Sequence, residues 1–152
     1  MDKYDNLKLD NQLCFPLYAA AKEIVRKYKP MLDDLNLTYT QYITMMVLWE
    51  RKSANVKELG SYLYLDSGTL TPLLKKLESK GYIKRTRMAS DERNLLVEIT
   101  PEGEKLRDKA VYVPIQMGNC INMEPEEMAT LYKLLHKVLD NHQSKLNIIS
   151  TL

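Results

Sequence analysis

Residues 63–103 read "LYLDSGTLTPLLKKLESKGYIKRTRMASDERNLLVEITPEG". Leu70, Leu73, Leu74 and Leu77 recur at steps of three, one and three, the signature of a helix buried along one side, with Lys75 and Lys76 outside the stripe. Gly81 ends that helix. The period then changes to that of strands in "YIKRTR" and "NLLVEIT", and the polar "MASDER" between them predicts a hairpin loop. Upstream, Asn55 followed by Glu58 is a capping-box start for another short helix that points Val56, Leu59 and Leu63 inward. Two short helices joined by a tight turn, then a basic ribbon, predict a winged helix-turn-helix whose second helix enters a major groove.

In such a fold the start of the second helix must stay open. Here it holds Ser67, Gly68, Thr69 and Thr71, small enough for backbone to approach phosphate and for hydroxyls to touch base edges. One of these residues is expected to cap the helix, and Pro72 is expected within its first turn. Lys84, Arg85 and Arg87 would line phosphates together with Lys75 and Lys76. Arg93 suits a narrow minor groove, with Asp91 two residues earlier to orient its guanidinium. The net charge of +2 is mild, but residues 75–93 hold seven cations against three anions. A local basic patch in an otherwise slightly acidic chain points to an anionic partner.

The flanks are helical. A first helix is predicted from about Leu13 to Leu32, with Cys14, Tyr18, Ala21, Val25 and Tyr28 on one face and Leu13, Leu17 and Ile24 widening the stripe. Pro16 is expected to delay or bend its start. Thr38 and Gln41 form a capping box for a helix carrying Tyr42, Met46 and Trp49. Thr100 and Pro101 begin a helix with Leu106, Ala110 and Val113 that Pro114 disturbs, and a last helix uses Met128, Leu131, Leu135 and Val138. The fold class is mainly α with a small β-hairpin wing, in one 152-residue domain whose winged-helix part spans 38–100.

The polar N-terminus is unlike a signal peptide, and no apolar run approaches the roughly 20 residues of a membrane helix, so the expected location is the cytoplasm, away from any membrane. In a reducing compartment two cysteines are inert core residues, metal ligands or reactive thiols. His136 and His142 are six apart and share no helix face, which predicts no metal site, and no cofactor is implied.

The quoted stretch, with its "DER" wing tip and following T-x-x-G run, resembles the MarR family of bacterial repressors. "LDNQLCFPLYAAAKEIVRKYKPML" is similar to the N-terminus of the organic-hydroperoxide-resistance repressors within it. That resemblance implies a redox-sensing DNA-binding repressor, with Cys14 as peroxide sensor and Tyr28 and Tyr39 as hydroxyls supporting its thiolate. Tyr18 is a further possible partner. It implies helices 9–37 and 101–145 as a dimerisation region, and Cys120 where the two-cysteine class carries a resolving thiol. The implied partners are operator DNA, a second copy of the chain and an organic hydroperoxide as signal. Cys14 and Tyr28 lie fourteen residues apart, about 21 Å along a straight helix, so they meet only across a two-fold axis. Two alternatives stand beside this one: a repressor of the same fold released by a small aromatic ligand, and a thiol peroxidase. Neither a basic wing nor the lack of an arginine beside Cys14 suits a peroxidase.

Overall fold

The computed structural model describes the backbone of residues 2–89 and 91–149 and the side chains of residues 2–89 and 94–140. It divides into two compact units, residues 1–117 and 118–152. The first unit contains the winged helix. Two short 3-10 turns lead into α1 (Cys14–Asp33), followed by α2 (Tyr39–Arg51), β1 (Ser53–Asn55), α3 (Val56–Leu63), α4 (Ser67–Ser79), β2 (Ile83–Met88), β3 (Asp91–Ile99) and α5 (Pro101–Ala110). A short α6 (Val113–Gly118) follows at the boundary with the second unit, so the break expected at Pro114 falls earlier, at Val111 and Tyr112. Mainly helical architecture with a small antiparallel sheet matches the sequence expectation.

Local chemistry explains the starts. Thr38 and Gln41 close the capping box on α2, and Asn55 and Glu58 close the one on α3. α1 begins at Cys14, two residues before Pro16. Pro16 therefore neither delays nor breaks it: in a first turn its missing N–H has no intrahelical acceptor to lose. The turn between α3 and α4 requires a residue without a side chain at Gly60, because a Cβ there would stand 2.7 Å from the Leu65 carbonyl oxygen. Tyr64 closes α3 in the left-handed region at φ 54°.

The sheet has the order β1-β3-β2, all antiparallel. β1 has no signal in the sequence pattern, because three residues, Ser-Ala-Asn, are too few to display a period. β3 begins at Asp91 and not at Asn94, with an irregularity between Arg87 and Met88. The "DER" residues are thus strand backbone instead of loop. The T-x-x-G run has a packing explanation. Thr100 Oγ1 accepts the Gly103 N–H at 3.1 Å, and the Gly103 carbonyl accepts Trp49 Nε1–H at 2.8 Å. Any side chain at Gly103 would run into the Tyr82 carbonyl.

All four leucines of the α4 stripe are buried, as are Leu32, Met45, Leu48, Leu59, Ile83, Val97, Leu106 and Val113, in one core. In the second unit α7 (Pro125–Ile149) starts with Pro125, Glu126 and Glu127, a helix-compatible proline and two carboxylates that suit the positive end of the helix dipole. Met128, Leu131, Leu135 and Val138 are all exposed on it.

Candidate nucleic-acid interface and thiol site

α4 presents its N-terminal half to solvent. Ser67, Gly68, Thr69, Thr71, Lys75 and Lys76 are exposed. None of the four small residues at the start serves as the N-cap. Asp66 does, accepting the Thr69 N–H at 2.7 Å. Hydrogen bonds from Thr69, first its backbone and then its side chain, hold the Asp66 carboxyl below the usual carboxylate range. Because Asp66 carries the cap, Ser67 is spared that role. Thr71 turns its hydroxyl back to the Ser67 carbonyl at 2.8 Å. Pro72 lies inside the helix, in the second turn and not the first, on the exposed side where water can serve the carbonyl it leaves without a donor.

The wing cations do not form one row. Successive strand residues face opposite sides, so Lys84 and Thr86 share one face of β2 and Arg85 and Arg87 the other. Lys84 and Arg87 are exposed. Arg85 is folded back onto α4: its backbone N–H donates to Glu78 Oε2 at 2.8 Å and its guanidinium to Glu78 Oε1 at 3.0 Å. That pair pulls the Glu78 carboxyl below its usual range. Arg85 therefore ties the wing to α4 instead of standing open to phosphate. The side chains of Asp91, Arg93 and His142 lie outside the described residues.

Cys14 is the first residue of α1 and is exposed; Cys120, in the second unit, is exposed too. Leu13, before Cys14, offers no side-chain cap, which leaves first-turn N–H groups open at the positive end of the dipole. Tyr18, one turn on, is exposed with the Lys22 ammonium 5.1 Å from its ring centroid. The far end of α1 enters the core and carries Tyr28 into an aromatic group. Its ring centroid lies 4.9 Å from that of Tyr39 and 5.9 Å from that of Tyr42. Desolvation raises the pKa of all three hydroxyls, and Tyr42, with Tyr28 and Tyr39 close by, is pushed up to about 12. The group therefore stays protonated across the physiological range, as a set of O–H donors. The sequence pattern marks Tyr42 only as an apolar position of α2, although its three-residue spacing from Tyr39 puts the two rings on one face. The structure brings Tyr28 and Tyr39 together, and the length of α1 keeps Cys14 of the same chain away from them.

Comparison with known proteins accords with this geometry. Residues 26–110 match the family model "Transcriptional regulator SarA/Rot". The organic hydroperoxide resistance transcriptional regulator of Bacillus subtilis (strain 168) is 44% identical over 144 residues, 95% of this chain and 98% of its own. AbfR of Staphylococcus epidermidis, solved reduced and bound to DNA, superposes with a TM-score of 0.75 at 31% identity, over 91% of this chain and 96% of that one. In its disulfide-formed state AbfR gives a TM-score of 0.62 at 32% identity, over 90% and 96%. The fold and these relatives define a winged-helix transcriptional regulator, a class of regulators and not of enzymes. Within that class the chain belongs to the MarR family, as a regulator of the organic-hydroperoxide-resistance type. Among the described residues no helix is long and apolar enough to cross a membrane.

Proposed function

We propose that this regulator is a redox-responsive repressor that holds operator DNA as a homodimer and lets go when an organic hydroperoxide oxidises Cys14. The observation that carries the reading is the placement of an exposed thiol at the open start of a helix whose other end delivers Tyr28 to a protonated tyrosine group. Two first helices running antiparallel across a two-fold axis would bring each Cys14 to the partner's tyrosines. The Cys14 thiolate attacks the outer peroxide oxygen, the O–O bond breaks, and the alkoxide leaves and takes a proton as alcohol, giving a sulfenic acid. The Cys120 thiol of the second chain then attacks the sulfenic sulfur and releases water, leaving an inter-subunit disulfide. AbfR, solved both reduced on DNA and disulfide-formed, supports a cycle of this kind. α4 would enter the major groove through Ser67, Gly68, Thr69 and Thr71, with Lys75, Lys76, Lys84 and Arg87 on phosphates and Arg93, oriented by Asp91, in the minor groove. A two-fold dimer would read half-sites roughly 10 base pairs apart or a multiple of that.

Release by a small aromatic ligand has one feature in its favour, a cavity beside Tyr39 lined by Val25, Leu32 and Leu37 together with Arg26, Lys29 and Asp33. At about 260 Å³ it falls below the ~300–1,000 Å³ of ligand pockets, and the thiol reading is preferred. The test is a gel shift on the gene's own upstream DNA with and without cumene hydroperoxide. Wild type loses the shift on oxidation and regains it with dithiothreitol, Cys14→Ser keeps it throughout, and Cys120→Ser forms no covalent dimer. A Cys14→Ser protein that still releases DNA with peroxide overturns the sensor assignment.

A further inference from the structure

The recognition helix is fastened at its C-terminal end on two sides, and one fastening leads to the tyrosines. Lys80, the C-cap of α4, donates from its ammonium to the Asn36 carbonyl and, at 3.0 Å, to Gln41 Oε1. Asn36 is held in the left-handed region at φ 53° in the connection between α1 and α2. Gln41 is buried, and its Oε1 also accepts the Thr38 N–H at 3.1 Å. Between these two acceptors stands Tyr39, the first residue of α2 and a member of the tyrosine group. On the other side Glu78 is held by Arg85 of the wing.

We propose that Lys80 is the positioning residue that couples the α1–α2 corner to the recognition helix, so that a displacement around Tyr39 reaches the DNA-contacting end of α4. The inference rests on the redox reading above for the signal that moves the corner. The packed leucine stripe fixes where α4 lies but makes no directed bond to the α1–α2 corner. A cation with two fixed oxygen acceptors can, because its charge-assisted bonds depend on geometry. Burial, with Lys76 as a smaller cause, lowers the Lys80 pKa, consistent with an ammonium that has exchanged part of its water for these protein oxygens. Leverage favours the arrangement as well. α4 has 13 residues, a length of about 20 Å, and a tilt of about 10° at its fastened end moves the other end by roughly 3 Å.

The experiment compares wild type, Lys80→Met and Lys80→Arg by two readouts. The first is amide hydrogen exchange of the DNA-free protein at Gln41 and Tyr42, with α5 amides and thermal midpoint as controls for general loosening. The second is the ratio of operator affinities before and after cumene hydroperoxide, with Cys14 oxidation followed by mass. The expected result is faster exchange at α2's first turn in Lys80→Met alone. Cys14 should oxidise at the wild-type rate, the affinity ratio should shrink by about tenfold, as loss of a charged hydrogen bond implies, and Lys80→Arg should restore much of it. Unchanged exchange in Lys80→Met overturns the tie. Changed exchange with an unchanged ratio overturns its role in transmission. A wild type whose affinity ignores peroxide overturns the redox reading instead and with it the transmission step, and the tie is then judged on exchange.

Discussion

α1 and α4 carry equally clear apolar stripes, and the fold treats them differently. In α4 every stripe residue is buried. In α1 only the last turns are taken into the core, through Tyr28, Met31 and Leu32, while Phe15, Leu17, Tyr18, Ile24 and Val25 stand open. Periodicity reports that a face wants cover, but not whether the same chain supplies it. For α4 the neighbours arrive through hairpin-like connections to α3 and β2. For most of α1 they do not arrive within the described residues of its unit, and in the proposed dimer a second copy would supply them.

The largest effect that tests this contrast is Leu74→Ala. Leu74 is 1% exposed, and its truncation should cost about 2–5 kcal/mol in urea unfolding. A cost near zero would mean that the α4 stripe is not the structural face. Leu17→Ala, at 47% exposed, should change protomer stability by no more than about 0.5 kcal/mol. It should instead weaken self-association, seen as a lower dimer fraction in sedimentation and a thermal midpoint that depends on concentration. If neither moves, α1 is not a pairing face.

A smaller contrast lies in the wing. Lys84→Ala should weaken binding to all DNA sequences and lower the salt slope by about one unit, whereas Arg85→Ala should leave the slope nearly unchanged because its guanidinium is already spent on Glu78. Equal slopes for the two variants would erase the distinction. The smallest expected effect is on acid stability. Asp66 and Glu78 titrate below their ordinary range when folded. A depressed carboxylate contributes stability above its unfolded pKa and loses it as pH falls through the folded one. Glu78→Gln should therefore flatten the decline of the thermal midpoint below the normal carboxylate range, and a profile identical to wild type would remove Glu78 from it.

Where side-chain chemistry acts over three or four residues, it was legible in advance. The capping boxes at Thr38 and Asn55, the Thr100 start, the α4 leucines and the stop at Gly81 are all local, and all stand where the spacing put them. Three misplacements have local causes of another kind. The Asp66 cap hid behind a run of equally plausible hydroxyls, Pro16 sat where a helix does not need its N–H, and β1 was too short to show a period.

By itself, then, the sequence determined the order of the longer elements and the winged-helix class, because these depend on neighbours within a turn or a strand pair, and two of its segments carried the likeness to hydroperoxide-resistance regulators; β1 and α6 it did not show. Only the tertiary structure decided that Tyr42 joins Tyr28 and Tyr39, that Arg85 turns to Glu78 and that Lys80 reaches Asn36 and Gln41. These contacts join residues from different elements. Packing chooses which cation loses water to a protein oxygen and which keeps it for DNA, and no spacing along the chain carries that choice.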